Sequence, residues 1–209
     1  MMPCAAVAVS SCVLLLSAAP LGAYPLVPAC DTSRLDGWSV NADGGDGLVF
    51  RIDPADAPGG RPHLALEFTR GAKGWGNLAT AITVPEDAIG LRVRLRVRAA
   101  SAGSGFYVWL FEEDGDGYVA RVLPESRGLH EAGAGWHAVY LPFTGFQFDP
   151  RGSKTKEFMT VDRLLLGCSH DSLKIDVGAV DFVRVTPPAA PAALPPQGEA
   201  PRAVVLGDA

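Results

Sequence analysis

The chain has 209 residues, 48% of them hydrophobic, and carries 18 basic against 23 acidic side chains for a formal charge of −5. That length accommodates a single domain with a buried core, and the acidic balance argues against a general nucleic-acid binder, whose domains are usually strongly basic. Residues 1–23 contain no Asp, Glu, Lys or Arg, and residues 188–209 hold five of the 17 prolines, so the totals mix three regions of different kind.

Ala5 to Ala19 is an apolar run broken at Pro20, with the small-residue stretch Leu21-Gly22-Ala23 before Tyr24. Its length suits the core of an export signal and is short for crossing a bilayer. Residues 1–23 therefore read as a signal peptide, and the mature chain as secreted or periplasmic with no membrane segment. A buried N-terminal helix is the alternative, but nothing polar gives the run an outer face. Cys4 and Cys12 would leave with the signal, so Cys30 and Cys168 remain. In an oxidising compartment such a pair predicts a disulfide; the other reading is two separate buried thiols.

From residue 24 onward the pattern is strands and turns. Leu91 to Arg98 alternates without a fault, with Leu91, Val93, Leu95 and Val97 on one face and Arg92, Arg94, Arg96 and Arg98 on the other. Period two over this length is the signature of a half-buried strand. Further strands are predicted at 47–52, 63–69, 77–84, 105–113, 118–123, 136–142, 163–168 and 173–185, the last as one strand or two. Clusters of Gly, Pro, Asp and Ser separate them, and 157–162 could make one helical turn. Many short strands at these intervals predict an all-β sandwich or barrel. The Pro/Ala-rich tail, 188–209, cannot build a core and reads as a linker or a disordered end, which leaves residues 24–187 as the domain.

Residues 105–123 predict a hairpin around Asp114-Gly115-Asp116-Gly117. An even loop pairs Glu113 with Tyr118 and sets Arg121 beside Val108 and Leu110, burying a charge if those aliphatics are core. An odd loop pairs Asp114 with Tyr118, with Gly117 supplying the positive φ of a bulged turn, and keeps the charge out. The odd loop is preferred. It places Phe106, Val108, Leu110, Tyr118, Ala120 and Val122 inside, and Tyr107, Trp109, Phe111, Glu113 and Arg121 outside. Aromatics on an outward strand face mark a binding surface, and rings beside Arg and Glu suit sugars, which offer apolar C–H faces and a rim of hydroxyls. With the even loop Trp109 is simply core.

The stretch from Gly135 to Phe146, GWHAVYLPFTGF, resembles a segment of galactose-binding-like β-sandwich domains. The resemblance is to family 11 carbohydrate-binding modules and to domains of the complex I intermediate-associated protein 30 type. Leu35-Asp36-Gly37-Trp38, the hairpin from Phe106 to Tyr118, Ile175-Asp176 and Val180 to Val185 match other pieces in the same order, over about residues 31–186. The resemblance implies a jelly-roll β-sandwich of two antiparallel sheets, with a concave sheet that grips glycan chains through aromatics. It makes Trp38 and Trp136 packing residues. Trp75 and Asn77, in a Gly-rich turn, join Tyr107, Trp109, Phe111 and Arg121 as candidate ligand-binding residues. It also implies a structural calcium, with Asp31 or Asp36 and Asp181 loosely in the places of its ligands; calcium takes six to eight oxygens.

No catalytic constellation competes. Ser169-His170-Asp171 holds the residue types of a hydrolytic triad, yet neighbours in sequence cannot form that relay. Glu112 and Glu113 point to opposite strand faces and cannot flank one glycosidic bond. Asp114-Gly115-Asp116-Gly117 lacks the downstream Glu of an EF-hand loop. The four arginines of 92–98 either line a concave sheet and grip an acidic polysaccharide, or form a solvated face that protects a sheet edge. The expectation is a secreted, non-catalytic carbohydrate-binding module attached to a larger glycan-active protein. The other reading is a structural accessory or protein-interaction domain of the same fold, with the aromatics covered.

Overall fold

The computed structural model describes residues 24–40, 48–53, 60–69, 75–101, 104–123, 135–156, 158–169 and 172–185. The expected signal peptide and tail lie outside the described residues. The strands are β1 (Leu26–Pro28), β2 (Trp38–Val40), β3 (Leu48–Asp53), β4 (His63–Phe68), β5 (Trp75–Ala81), β6 (Ala88–Ala100), β7 (Gly105–Glu112), β8 (Gly117–Leu123), β9 (His137–Pro142), β10 (Gln147–Asp149), β11 (Val161–Ser169) and β12 (Leu173–Arg184). Single 3-10 turns occupy Phe143–Gly145 and Phe158–Thr160, the second within the span where one helical turn is expected.

These strands form two sheets. The first runs β3-β4-β12-β6-β9, with β1 paired to the far part of β12; the second runs β10-β8-β7-β11-β5-β2. Every pairing is antiparallel, and the protein is an all-β jelly-roll β-sandwich. The expected strands all form. The short β1, β2 and β10 are additions, because three residues are too few to display an alternation.

The core lies between the inner faces. Leu91, Val93, Leu95 and Val97 of β6 meet Leu173, Ile175, Val177, Val180 and Phe182 of β12, and across the sandwich Phe106, Val108, Leu110, Leu164 and Leu166 close it. Trp38 belongs to this core, with its indole N–H donated to the carbonyl of Asp31 at 2.8 Å. Trp136 does not: its ring lies on the outer side of the first sheet, over Gly178 and edge-on to His63. The packing role expected of Trp136 is thus played on the outer side of the sheet and not in the core. A side chain on Gly178 would collide with that ring.

Residues 173–184 make one strand, and its irregularity is informative. Strict alternation would put Asp176 and Asp181, five apart, on opposite faces. A register shift between Val177 and Ala179 restores the parity, so that Asp176 stands opposite Arg96 and Asp181 opposite Arg92. Arg92 donates to Asp181 at 2.7 and 3.2 Å, and Arg96 to the fully buried Asp176 at 2.7 and 2.9 Å. Arg98 adds an ion pair to Asp176 at 2.9 Å. Three of the four ladder arginines, Arg92, Arg96 and Arg98, are therefore matched by carboxylates, and their strand is interior, between β12 and β9, so the ladder is not an edge guard.

The disulfide expected between Cys30 and Cys168 does not form; both are free thiols. Cys30 follows β1 on the first sheet, whereas Cys168 reaches the core from β11 of the second. Burial pushes both thiols up to about 12, helped at Cys30 by the charges of Asp181 and Asp31.

Candidate functional site

The β7–β8 hairpin settles which side chains face out. Leu110 stands opposite Tyr118 and Val108 opposite Ala120, while Tyr107 stands opposite Arg121 and Trp109 opposite Val119. The parity is that of the odd loop, and Arg121 is exposed. The turn itself sits two residues earlier than expected. Its loop is Glu113-Asp114-Gly115, closed by the N–H of Glu112 on the carbonyl of Asp116 at 2.8 Å. Gly115, with φ of 95°, takes the left-handed position assigned above to Gly117.

On the outer face of the second sheet the register lays out three rows. Asn77, Gly167, Tyr107 and Arg121 form one, and Ser39, Ala79, Leu165, Trp109, Val119 and Gln147 the next. Ala81, Arg163, Phe111, Gly117 and Asp149 form the third. Tyr107, Trp109 and Phe111 are half-buried, and the Trp109 and Phe111 rings stack at 5.6 Å with planes 10° apart. Glycines make the floor under them. The Tyr107 ring lies against Gly105 and the Phe111 ring against Gly117, while the Asn77 amide leans over Gly167 toward Trp109. Of the candidate ligand-binding residues, Asn77, Tyr107, Trp109, Phe111 and Arg121 share this face. Trp75 opens β5 in register with Ser169, and its side chain is outside the described part.

Two further residues, not singled out from the sequence, belong to this face. Each aromatic ring carries a guanidinium: Arg121 over Tyr107 at 5.6 Å, Arg151 over Trp109 at 5.5 Å and Arg163 over Phe111 at 5.7 Å. Arg151 and Arg163 escaped because one lies in a turn and the other beside the β11 register shift, where alternation does not predict a face.

Arg151 is held from below by the acidic turn. The fully buried carboxylate of Asp116 accepts the N–H groups of Arg151 and Gly152 on one oxygen, each at 2.6 Å. On the other it accepts the N–H of Lys154 at 2.6 Å and the hydroxyl of Ser153 at 3.3 Å. Asp114 accepts the N–H groups of Asp116 and Ser153, each at 2.9 Å, and these bonds hold its carboxyl below the usual range. The same Asp-Gly motif thus makes the hairpin turn and clamps the 150–154 loop.

The residues expected to hold calcium do not fit one as arranged. Asp181 is engaged by the Arg92 guanidinium. Asp31 accepts the N–H and hydroxyl of Ser33 at 2.9 and 2.6 Å, which lowers its pKa, and pairs with Arg34. Asp36 is exposed. Among the described residues, Glu112, Asp114 and Asp116 bring carboxylate oxygens within 4.8 Å of one another. Those of Asp114 and Asp116 accept the N–H and hydroxyl groups just described, and Glu112 accepts the Tyr118 hydroxyl at 2.6 Å. A cation there would have to displace these donors.

In fold this two-sheet jelly roll resembles family 11 carbohydrate-binding modules. One such module from Clostridium thermocellum, solved in complex with a β-1,3-1,4-mixed-linked tetrasaccharide, matches with a TM-score of 0.60 at 13% identity, over 77% of this chain and 96% of that one. The family 11 module of a cellulosomal cellulase of Clostridium thermocellum matches with a TM-score of 0.61 at 12% identity, over 80% and 99%. At these identities the likeness is one of fold. No protein-family model matches the sequence, and no curated protein matches it significantly.

Proposed function

We propose that the protein is a secreted, non-catalytic carbohydrate-binding module that holds glycan chains across the outer face of the second sheet. One observation carries this reading: Tyr107, Trp109 and Phe111 stand in one outward line, flanked in register by Asn77, Arg121 and Arg163. The Trp109 and Phe111 rings, 5.6 Å apart in near-parallel planes, extend the apolar surface along the strand for a sugar chain. Stacking takes the apolar C–H faces, and Asn77, Gln147 and the arginines offer hydrogen bonds to the hydroxyl rim. The fold shared with family 11 modules supports the reading. The apolar leader and the Pro/Ala-rich tail support export and attachment to a larger glycan-active protein. Trp75 is a further contact at the Asn77 end of the face.

The test is binding of the purified chain to immobilised neutral and acidic polysaccharides by affinity electrophoresis. Retardation on at least one polymer is expected, and Trp109→Ala should weaken it about tenfold or more, as loss of a central stacking ring does. Unchanged retardation in Trp109→Ala, with circular dichroism showing an intact sandwich, would overturn this assignment of the face. Absence of retardation on every polymer would favour an accessory or protein-interaction role.

A further inference from the structure

We infer that the glycan taken by this face is acidic, bearing carboxylate or sulfate groups, and that Arg121, Arg151 and Arg163 set that preference. The inference rests on the glycan-binding reading and deepens it.

The argument starts from what covers the rings. A sugar stacks by laying its C–H face on a ring, but each ring of the stripe already has a guanidinium centred 5.5–5.7 Å from it. A neutral chain would have to push three guanidiniums aside and give them only hydroxyls in return. An anionic chain offers carboxylates or sulfates, whose planar oxygen pairs match the guanidinium fork and form the stronger, charge-assisted hydrogen bonds. The ligand's own charge then draws each arginine off its ring and frees the ring for stacking. A cation–π contact at an exposed site is weak, little to give up for a bidentate pair.

The acids paired with Arg151 and Arg163 do not cancel this. Asp149 holds Arg151 at 2.6 Å and Asp162 holds Arg163 at 3.4 Å. Both arginine side chains are half exposed or more, at 59% and 50%, and such pairs contribute little and yield readily to a competing anion. The arginines of the other sheet differ in kind. Arg96 and Arg98 converge on the fully buried Asp176, so they are committed to the fold. The chain's net charge of −5 repels a polyanion at long range, so the preference comes from short-range forks and not from steering. Arg151 is fixed in position by the Asp116 clamp on its own N–H and that of Gly152, which limits the ordering cost of using it.

The decisive experiment compares matched polymers that differ only in charge: polygalacturonate against its carboxyl-reduced form, and dextran sulfate against dextran, with a neutral mixed-linked β-glucan alongside. For the intact chain, the charged member of at least one pair should bind about tenfold tighter at low salt, the difference shrinking as salt is raised. Which pair responds tells carboxylate from sulfate. The triple variant Arg121→Gln/Arg151→Gln/Arg163→Gln should lose the preference. Arg94→Gln, a loss of one charge at an exposed position on the other sheet, should keep it, whereas each of the three single Arg→Gln variants of this face should reduce it. Equal or tighter binding of the neutral members, or a triple variant that retains the preference, overturns the inference. Binding to the β-glucan alone does so while leaving the glycan-binding reading intact; binding to none of the polymers removes both.

Discussion

Asp116 has no exposed surface, yet it decides where an exposed residue stands. Its two oxygens take up backbone N–H groups that would otherwise have no partner in the turn after β10, and the 150–154 loop then carries Arg151 to Trp109. Asp116→Ala removes a charged acceptor and strands three backbone donors, so unfolding free energy should fall by about 2–3 kcal/mol in a denaturant titration. Asp116→Asn keeps one oxygen for the N–H groups of Arg151 and Gly152 but turns an amide NH2 toward the N–H of Lys154, and should cost roughly half as much. In both variants glycan affinity should fall with the loosened loop. A stability equal to that of the parent chain would show that the clamp contributes nothing. The two thiols show the same economy: Cys30 and Cys168 are unpaired and serve as small apolar groups, Cys168 in the core and Cys30 packed against it.

At the scale of the element, the β7–β8 hairpin depends on one backbone angle. Gly115 sits at φ 95°, where a Cβ is strained whatever the free space around it. Gly115→Ala should destabilise the protein by about 1 kcal/mol, read as a lowered thermal midpoint, whereas Gly145→Ala, in an exposed turn without positive φ, should cost less. Equal effects of the two substitutions would count against the bulged turn. This hairpin also illustrates what the residues reveal before folding. Parity was legible because a wrong choice buries Arg121, and a buried unpaired charge is prohibitive. The position of the turn was not legible, since both Gly115 and Gly117 can supply a left-handed residue and the tie is broken by Asp116 reaching a loop 35 residues away. In β12 the alternation breaks at Gly178, so which carboxylates face the arginines follows from the register shift and not from spacing. Arg151 and Arg163 are not legible in the sequence because the contacts that place them, one from a turn and one from β11, reach rings distant in the chain.

At the scale of the whole molecule, the two outer faces divide the charge between different tasks. On the first sheet, Arg51, Arg98 and Lys174 surround Glu67, and Arg92 and Arg96 engage Asp181 and Asp176. That network ties β3, β4, β6 and β12 together across the sheet. Hydrogen bonds from Arg51, and then from Lys174, hold the Glu67 carboxyl down at about 2, from an ordinary 4.5. A depressed folded pKa gives stability that is complete above the unfolded value and lost as pH falls through the folded one. Unfolding free energy should therefore hold steady above about 4.5 with respect to this group and decline between there and about 2. The hydrogen-bonded Asp31, Asp87 and Asp114, lowered as well, act in the same direction. Glu67 is about a quarter exposed, so water screens the pairs and its own share of the decline is small. Glu67→Gln isolates that share: it should flatten the acid limb of a stability–pH curve measured at low salt, and high salt should produce a similar flattening in the parent chain. A curve for Glu67→Gln parallel to that of the parent through pH 4.5 to 2 would show that the network on this sheet is electrostatically idle. The opposite result would assign the ion pairs around Glu67 to holding the strands of this sheet together.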